Sequence, residues 1–367
     1  MPSETATGSM PLSGSYDAGD VTFLLKPIDM PATPVEEKEE AIQSGRRHYS
    51  EMIAPEAVPS AEYLALYHAA LARNGDRLAD DVSALAAHLA SRRPGREIVI
   101  VSLARAGTPI GVLLVRTLRA WGHTAHHYSI SIVRDRGIDL VALAHIAERH
   151  DPDDAVFVDG WTGKGAIAGE LHRSLANRPE GFAPLLAVIA DPAGRADIAA
   201  GGDDYLIASG LLNGMVSGLV SRSILNDRFV GDGDFHACVL YPQHAHTDQS
   251  RAFVDALAPR AAVAVPRVIG DHAARRPALA ADCAAMLSAM CTRAGTNDVN
   301  RIKPGIAEAT RALLRRVPER VLVRDEKDED VAHIVRLAAE VGIRVDRLDA
   351  GCSYRAVTII RRLGTER

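Results

Sequence analysis

Between residues 97 and 209, short apolar runs alternate with stretches of helical period. "EIVIVSL" is a continuous apolar run, followed by the turn "ARAGTPIG" and the helical "VLLVRTLRAWG". "HTAHHYSISIV" alternates and predicts a second strand. "AVFVD" predicts a third strand, followed by glycines and the helix "AIAGELHRSLAN". "PLLAVIAD" predicts a fourth strand and "DYLIAS" a fifth. Apolar strands separated by helices predict an α/β fold, a parallel sheet flanked by helices on both faces. In such sheets chemistry gathers at the carboxyl ends of the strands.

On either side the pattern differs. Residues 1–20, rich in Ser, Gly and Pro, predict a mobile arm. "VTFLLKPI" predicts a short strand. In "TPVEEKEEAIQSGRRHYSEMI" Thr33 is the expected cap, with Pro34 at the first helical position and acids in the first turn. "PSAEYLALYHAALARNGDRLADDVSALAAHLASRRPG" predicts helices packed through Leu and Ala up to a Pro-Gly stop. Residues 21–225 form the expected first domain, and 226–295 an associated segment without a firm architecture. In that segment "FHACVLYPQ" is strand-like, and "SRAFVDALAPRAAVAV" fits a helix and a strand. Residues 296–367 form a smaller α/β unit, with helices "GIAEATRALLRRV" and "DEDVAHIVRLAAEVG" and strands "RVLVRD", "IRVDRL" and "AVTIIRR".

Composition narrows the function classes. The chain is 47% hydrophobic and 24% charged, an ordinary globular balance. The net charge of −5 gives no overall basic excess for nucleic acid, although residues 296–367 carry fifteen Lys/Arg against twelve Asp/Glu. The four cysteines form no CxxC pair, which excludes a zinc ribbon and a disulfide scaffold. No signal-peptide pattern opens the chain and no apolar run spans a bilayer, so the expected setting is cytoplasmic.

The candidate chemistry lies in two glycine loops. In "AVFVDGWTGKGAIAGEL" Asp159 ends a strand, where it can accept hydrogen bonds from ribose hydroxyls. Thr162, Gly163, Lys164, Gly165 and Ala166 open a helix as a phosphate cradle. A plain strand-to-helix turn remains the alternative. A Walker A loop is excluded: Gly160 precedes Gly163 by three residues rather than five, and Gly165 stands where Ser or Thr would hold magnesium.

This segment resembles the phosphoribosyl-diphosphate motif of type I phosphoribosyltransferases. Asp159 matches the first acid, whereas Gly160 stands where a second acid is usual. "IVIVSLARAGTPIG" resembles that family's diphosphate loop through Ser102, Leu103, Ala104, Arg105, Ala106 and Gly107. "YSISIVRDRGID" lies where the family has a mobile hood, with Arg134 and Arg136 reaching toward the leaving group. More narrowly, the chain is similar to the phosphoribosyltransferase-like StiP proteins of bacterial stress and tellurite-resistance gene clusters. The resemblance implies transfer of a phosphoribosyl group between phosphoribosyl diphosphate, carried with Mg2+, and a nitrogenous base or nucleoside-type metabolite. A non-catalytic nucleotide sensor is the alternative.

Some descriptions of the family carry a cysteine-protease label, which points to Cys238 with His236 nearby as a further alternative. "GHTAHH" lacks a carboxylate or fourth ligand spaced to complete a metal site and is expected to be strand surface. Finally, "DVNRIKPGIAEATRALLRRVPERVLVRD" resembles the Pelota-type RNA-binding domain, placing Lys303, Gly305, Glu308 and Arg311 at structured RNA. Ala307 stands where that family has asparagine. A small-molecule substrate, an RNA partner, no membrane and a homo-oligomer are the expected associations.

Overall fold

The computed structural model describes residues 12–349 and 351–363. Its first sheet has six strands: β1 (Thr22–Leu24), β2 (Ile98–Leu103), β3 (Ala125–Ile130), β4 (Ala155–Trp161), β5 (Leu186–Ala190) and β6 (Ile198–Gly201). All pair in parallel, in the order β1-β3-β2-β4-β5-β6. Alternate side chains of β2 and β4 enter different cores. Ile98, Ile100, Val156 and Val158 pack under helices α2 (Ala61–Ser91) and α3 (Thr108–Ala120). Val99, Val101 and Phe157 pack under α4 (Leu140–Ala147) and α5 (Ala166–Ser174). A strand covered on both faces must be apolar throughout, which explains the continuous runs in the sequence.

Strands β2 and β4 are neighbours, yet their helices cover opposite faces. A crevice therefore opens between their carboxyl ends, the topological switch point of the sheet. The two glycine loops meet there. A Cβ on Gly107 would lie 2.3 Å from the Val158 carbonyl oxygen, so only glycine allows the loops this approach.

A second sheet orders β7 (Ile302–Pro304), β10 (Ala356–Ile360), β8 (Pro318–Val323) and β9 (Val345–Arg347), in that spatial sequence. Helix α7 (His272–Arg293) covers one face through Cys283, Met286 and Met290. Helices α8 (Ile306–Arg315) and α9 (Ala332–Glu340) cover the other, and their core is continuous with that beneath α2 and α3. The smaller unit is thus welded to the larger one by apolar packing.

Several expectations are corrected. "DYLIAS" is not a strand; its place in the sheet is taken by Ile198–Gly201. The run is apolar because Tyr205, Leu206, Ile207 and Ala208 are buried as the chain passes between the two sheets. Residues 1–11 of the expected arm lie outside the described residues. Residues 12–20 pack against the body: Tyr16 is buried and donates to the Val216 carbonyl at 2.8 Å. Pro34, not Thr33, is the cap position of α1 (Val35–Gln43), without a side-chain bond. "SRAFVDALAPRAAVAV" supplies helix α6 (Ser250–Val263) but no strand, and of "FHACVLYPQ" Ala237–Cys238 forms a short strand with Lys26–Pro27, with isolated bridges from Ala237 to Ile224 and from Leu240 to Val220. Among the described residues no helix is long and apolar enough to cross a membrane.

Candidate functional site

Strand β4 delivers Asp159 to the crevice, and the chain then turns through Thr162–Gly165 into α5. Gly165 adopts φ of 81°, a left-handed conformation suited to glycine. The Thr162 hydroxyl does not face the crevice. It donates to Asp191 Oδ1 at 2.5 Å and accepts from the Ala193 amide at 3.3 Å, fixing the loop from beneath. Among the described residues, the amides of Gly163, Lys164, Gly165 and Ala166 meet no acceptor. Unpaired amides at a helix N-terminus form an anion cradle. The Lys164 ammonium instead donates to the Val299 carbonyl at 2.6 Å, and burial pushes it down to about 8.

The facing loop is built differently from expectation. Ser102 belongs to β2, and its hydroxyl sits 2.8 Å from His127 Nε2 inside the fold, away from the crevice. Ala104 and Gly107 use their amides on Ile130 and Leu103 carbonyls. The amides of Arg105 and Ala106 have no acceptor among the described residues, and the Ala104–Arg105 peptide is cis. The Arg105 guanidinium does not extend freely into the crevice. It is buried, donating to the Val220 carbonyl at 2.8 Å and to Glu56 at 3.2 Å. Glu56 also accepts from Arg315 of α8 at 2.6 Å. Burial opposes its ionisation, but Arg105 and Arg315 together hold it down to about 2.

Asp159 lies between the loops. Its carboxylate accepts from the Gly160 amide at 2.8 Å, and burial pushes its pKa up to about 6, against the pull of Arg311. The hood residues form a short hairpin, Ile132–Val133 with Gly137–Ile138. Arg134 stacks 5.3 Å from the Tyr49 ring centroid and donates to Asn300 at 3.2 Å, whereas Arg136 is paired with Glu51.

The smaller unit closes this crevice. Three lobes of about 180, 270 and 660 Å³ share Tyr49, Glu308 and Arg311 in their walls. Asp159 lines the two smaller lobes. Arg311 lies 4.9 Å from the Trp161 ring centroid. The residues expected at RNA are therefore turned inward: Gly305 and Lys303 are buried, and Glu308 and Arg311 face Asp159. The phosphate position expected at the α8 N-terminus is taken by Asp204, whose carboxylate accepts from the Ile306 amide at 3.0 Å. Neither the Asp204 cap nor the inward face of α8 was foreseen. The mixture of acids and bases in "GIAEATRALLRR" reads equally well as a solvated surface.

Cys238 does not form a reactive pair. It is fully buried in the core, burial pushes its thiol up to about 12, and the His236 ring is bonded to Ser131 at 2.7 Å. "GHTAHH" does find a carboxylate through the fold. Glu97 bridges His150 Nδ1 at 2.9 Å and His126 Nε2 at 3.3 Å, a grouping able to hold a cation at the sheet's other end.

With this geometry in view, the relatives can be set beside it. The family model described as "Tellurite-like stress resistance cysteine protease StiP" matches residues 14–258, and the "PELOTA RNA binding domain" matches residues 281–362. A curated relative, "Cysteine protease StiP" of Acinetobacter baylyi (strain ATCC 33305 / BD413 / ADP1), is 42% identical over 364 residues, covering 96% of this chain and 95% of the relative. Two solved structures of hypoxanthine phosphoribosyltransferase from Trypanosoma cruzi align with about half of the chain. The one in complex with the product IMP has a TM-score of 0.29 and 13% identity over 46% of this chain and 88% of that chain. The other has a TM-score of 0.29 and 13% identity over 45% and 93%. A TM-score of 0.29 leaves that likeness without bearing on the site.

Proposed function

The chain belongs to the StiP family, and from that premise and the geometry of the cleft we propose that it binds magnesium–phosphoribosyl diphosphate and transfers its phosphoribosyl group. One observation carries the reading: Asp159 stands between two sets of unpaired backbone amides at the switch point of the parallel sheet. The Gly163–Ala166 amides suit a 5′-phosphate and the Arg105–Ala106 amides a diphosphate, with the ribose over Asp159. Magnesium enters with the substrate, held mainly by diphosphate oxygens.

In the reaction a nitrogen lone pair of the acceptor attacks C1′. The bond from C1′ to the diphosphate oxygen breaks, its electron pair leaving with diphosphate, and the acceptor's N–H proton passes to solvent. Charge develops on the ribose ring and on the departing oxygen, which an ionised Asp159 and the loop amides are placed to stabilise. Arg105 would first have to share its guanidinium between Glu56 and the leaving group.

A nucleotide sensor is the second reading, favoured by the buried Arg105–Glu56–Arg315 bridge, which occupies the arginine expected at the leaving group. The hydrolase reading gains nothing from Cys238, whose thiol lies in the core. The test is calorimetric titration of phosphoribosyl diphosphate with magnesium into the wild type and Asp159→Ala. Micromolar binding by the wild type, weakened at least tenfold in the variant, is expected. Absence of binding to the wild type would overturn the proposal. Diphosphate release with an acceptor present then separates enzyme from sensor.

A further inference from the structure

The two loops account for the small lobes of the cleft but not for the cations of the large one. Lys38 on α1 and Lys303 on β7 are only 6% and 8% exposed. Neither ammonium has a carboxylate within ion-pair distance among the described residues. Lys38 Nζ reaches only the Arg315 carbonyl, at 3.4 Å, and Lys303 Nζ makes no hydrogen bond among the described residues but keeps contact with the solvent of the cleft. Both side chains line the 660 Å³ lobe. Neighbouring guanidiniums do not relieve them: Arg316 is committed to Glu39 and Arg315 to Glu56, while Arg222 is spent on the backbone carbonyls of Tyr49, Met52 and Ser223.

A largely buried amine without a counter-charge is costly to keep protonated, and it holds its proton firmly only where an anion arrives to pair with it. Of the nearby acids, Glu39 is held by Arg316 and Glu51 by Arg136, Glu308 lies 3.7 Å from Arg311, and Asp298 accepts from the Asn300 amide. Two ammonium groups match the two charges of a phosphomonoester, and the lobe is large enough for a small nucleotide. The lobe also shares Tyr49, Glu308 and Arg311 with the space above Asp159.

We propose that this lobe is a phosphate subsite for the second substrate: the acceptor carries its own phosphomonoester, held by Lys38 and Lys303. The proposal rests on the phosphoribosyl reading for its place in the reaction, but the subsite can be tested apart from it. It also gives the smaller unit a direct part in the site, since Lys303 comes from its first strand. The phosphomonoester has two possible sources, a free nucleotide or the 5′-phosphate end of an RNA strand.

The full chain is titrated with inorganic phosphate, with adenosine and uridine 5′-monophosphates and their parent nucleosides, and with a short oligoribonucleotide bearing either a 5′-phosphate or a 5′-hydroxyl. Wild type, Lys38→Met, Lys303→Met and Lys327→Met are compared, with Lys303→Gln as a second variant should Lys303→Met fail to fold. The expected result is binding of a monophosphate at least tenfold tighter than its nucleoside. That binding falls at least tenfold in each of the Lys38 and Lys303 variants and stays within threefold of wild type in Lys327→Met, which replaces an exposed lysine away from the cleft. A gain for the 5′-phosphorylated oligonucleotide over its hydroxyl form, larger than that of the free nucleotides, assigns the RNA end as the source. The reverse assigns a free nucleotide.

Lys38 and Lys303 variants that bind monophosphates as the wild type does, or a wild type that prefers no phosphorylated probe, would overturn the subsite. Monophosphate binding that needs both lysines, in a protein that ignores phosphoribosyl diphosphate, would keep the subsite and remove the phosphoribosyl reading. The opposite pattern would do the reverse.

Discussion

The Tyr354 hydroxyl donates to the Gly163 carbonyl at 2.6 Å, so a residue of the smaller unit holds the loop that ends β4. Tyr354 is fully buried, and its oxygen also lies 3.1 Å from Cys283 Sγ. Lys164 of the same loop reaches the Val299 carbonyl, also of the smaller unit, while Asp191 of the larger unit holds Thr162. The loop is therefore positioned by both units, and its amides point where they do only while the two stay docked.

Replacing Tyr354 by Phe keeps the ring's packing and removes the bond. A buried hydrogen bond of this kind contributes about 1 kcal/mol net, and the orphaned Gly163 carbonyl adds a desolvation cost. Thermal unfolding of Tyr354→Phe should show a lower midpoint, and affinity for magnesium–phosphoribosyl diphosphate should fall several-fold. Unchanged affinity alongside a lowered midpoint would mean that the bond stabilises the fold without ordering the loop.

Asp159 offers a trade between stability and function. Burial raises its carboxyl from the ordinary 3.8 to about 6 in the folded protein. A raised acid binds its proton more tightly in the folded state. Its contribution to stability is then fully present below pH 4 and lost as pH rises through 6. At pH 7.5 the ionised group costs the fold about 3 kcal/mol, from the two-unit shift. Asp159→Asn removes that ionisation. Its unfolding midpoint at pH 7.5 should exceed the wild type's by a few degrees, with the difference shrinking toward pH 5, while ligand binding is lost. Equal midpoints across this range would contradict the account of a partly buried carboxylate with a raised pKa.

Much of the larger sheet was legible because its strands are buried on both faces. "EIVIVSL" and "AVFVD" can satisfy that demand only with unbroken apolar runs, and the loops after them carry the glycines needed for close approach. "DYLIAS" misled for the same reason: it too is buried on all sides, but as a crossing segment whose Asp204 caps α8. The candidate site was legible only as far as a single loop reaches. Asp159 and the 163–166 amides are local features. The partners of Arg105, Thr162 and Lys164 come from Glu56, Asp191 and Val299, distant in sequence, and no spacing rule announces them. The same holds for Glu97 beside His126 and His150. The inward turn of α8 follows from a core shared by the two units, which amphipathic period alone does not locate.

Lys38 and Lys303 make a prediction in proton counts. Burial first, and then neighbouring cations, push each down to about 7. Lys38 faces Arg222, Arg315, Arg316 and Glu39; Lys303 faces Lys164, Arg134, Arg316 and Glu308. A base with a lowered folded pKa binds fewer protons folded than unfolded. Stability from these groups therefore rises as pH climbs from about 7 toward 10.5. At pH 8 both amines are mostly neutral, and an arriving phosphomonoester raises their pKa values. Titration with adenosine 5′-monophosphate in two buffers of different ionisation enthalpy should report uptake of up to about two protons. Each Met variant should lose its share. Binding with no proton uptake at pH 8 would show that the anion rests on groups already charged.

The last prediction concerns the thiols, since the family's description names a cysteine protease. A nucleophilic cysteine needs exposure and a lowered pKa, with a base or positive charge beside it. Cys238 has the opposite environment: fully buried in the apolar core, its thiol raised to about 12 by burial alone. Cys283 is also buried and raised, with Tyr354 beside it; Cys352 is half-buried and raised. Alkylation with iodoacetamide at pH 8, followed by peptide mass mapping, should therefore label Cys291 and Cys352 well before Cys238, which should react only on unfolding. Cys238→Ala removes a small core sulfur, so it should lower the unfolding midpoint slightly and leave any peptidase activity of the preparation unchanged. Rapid labelling of native Cys238, with a matching loss of hydrolysis, would instead require the core around Ala237–Cys238 to open. That result would move the search for the reacting group from the cleft to that strand.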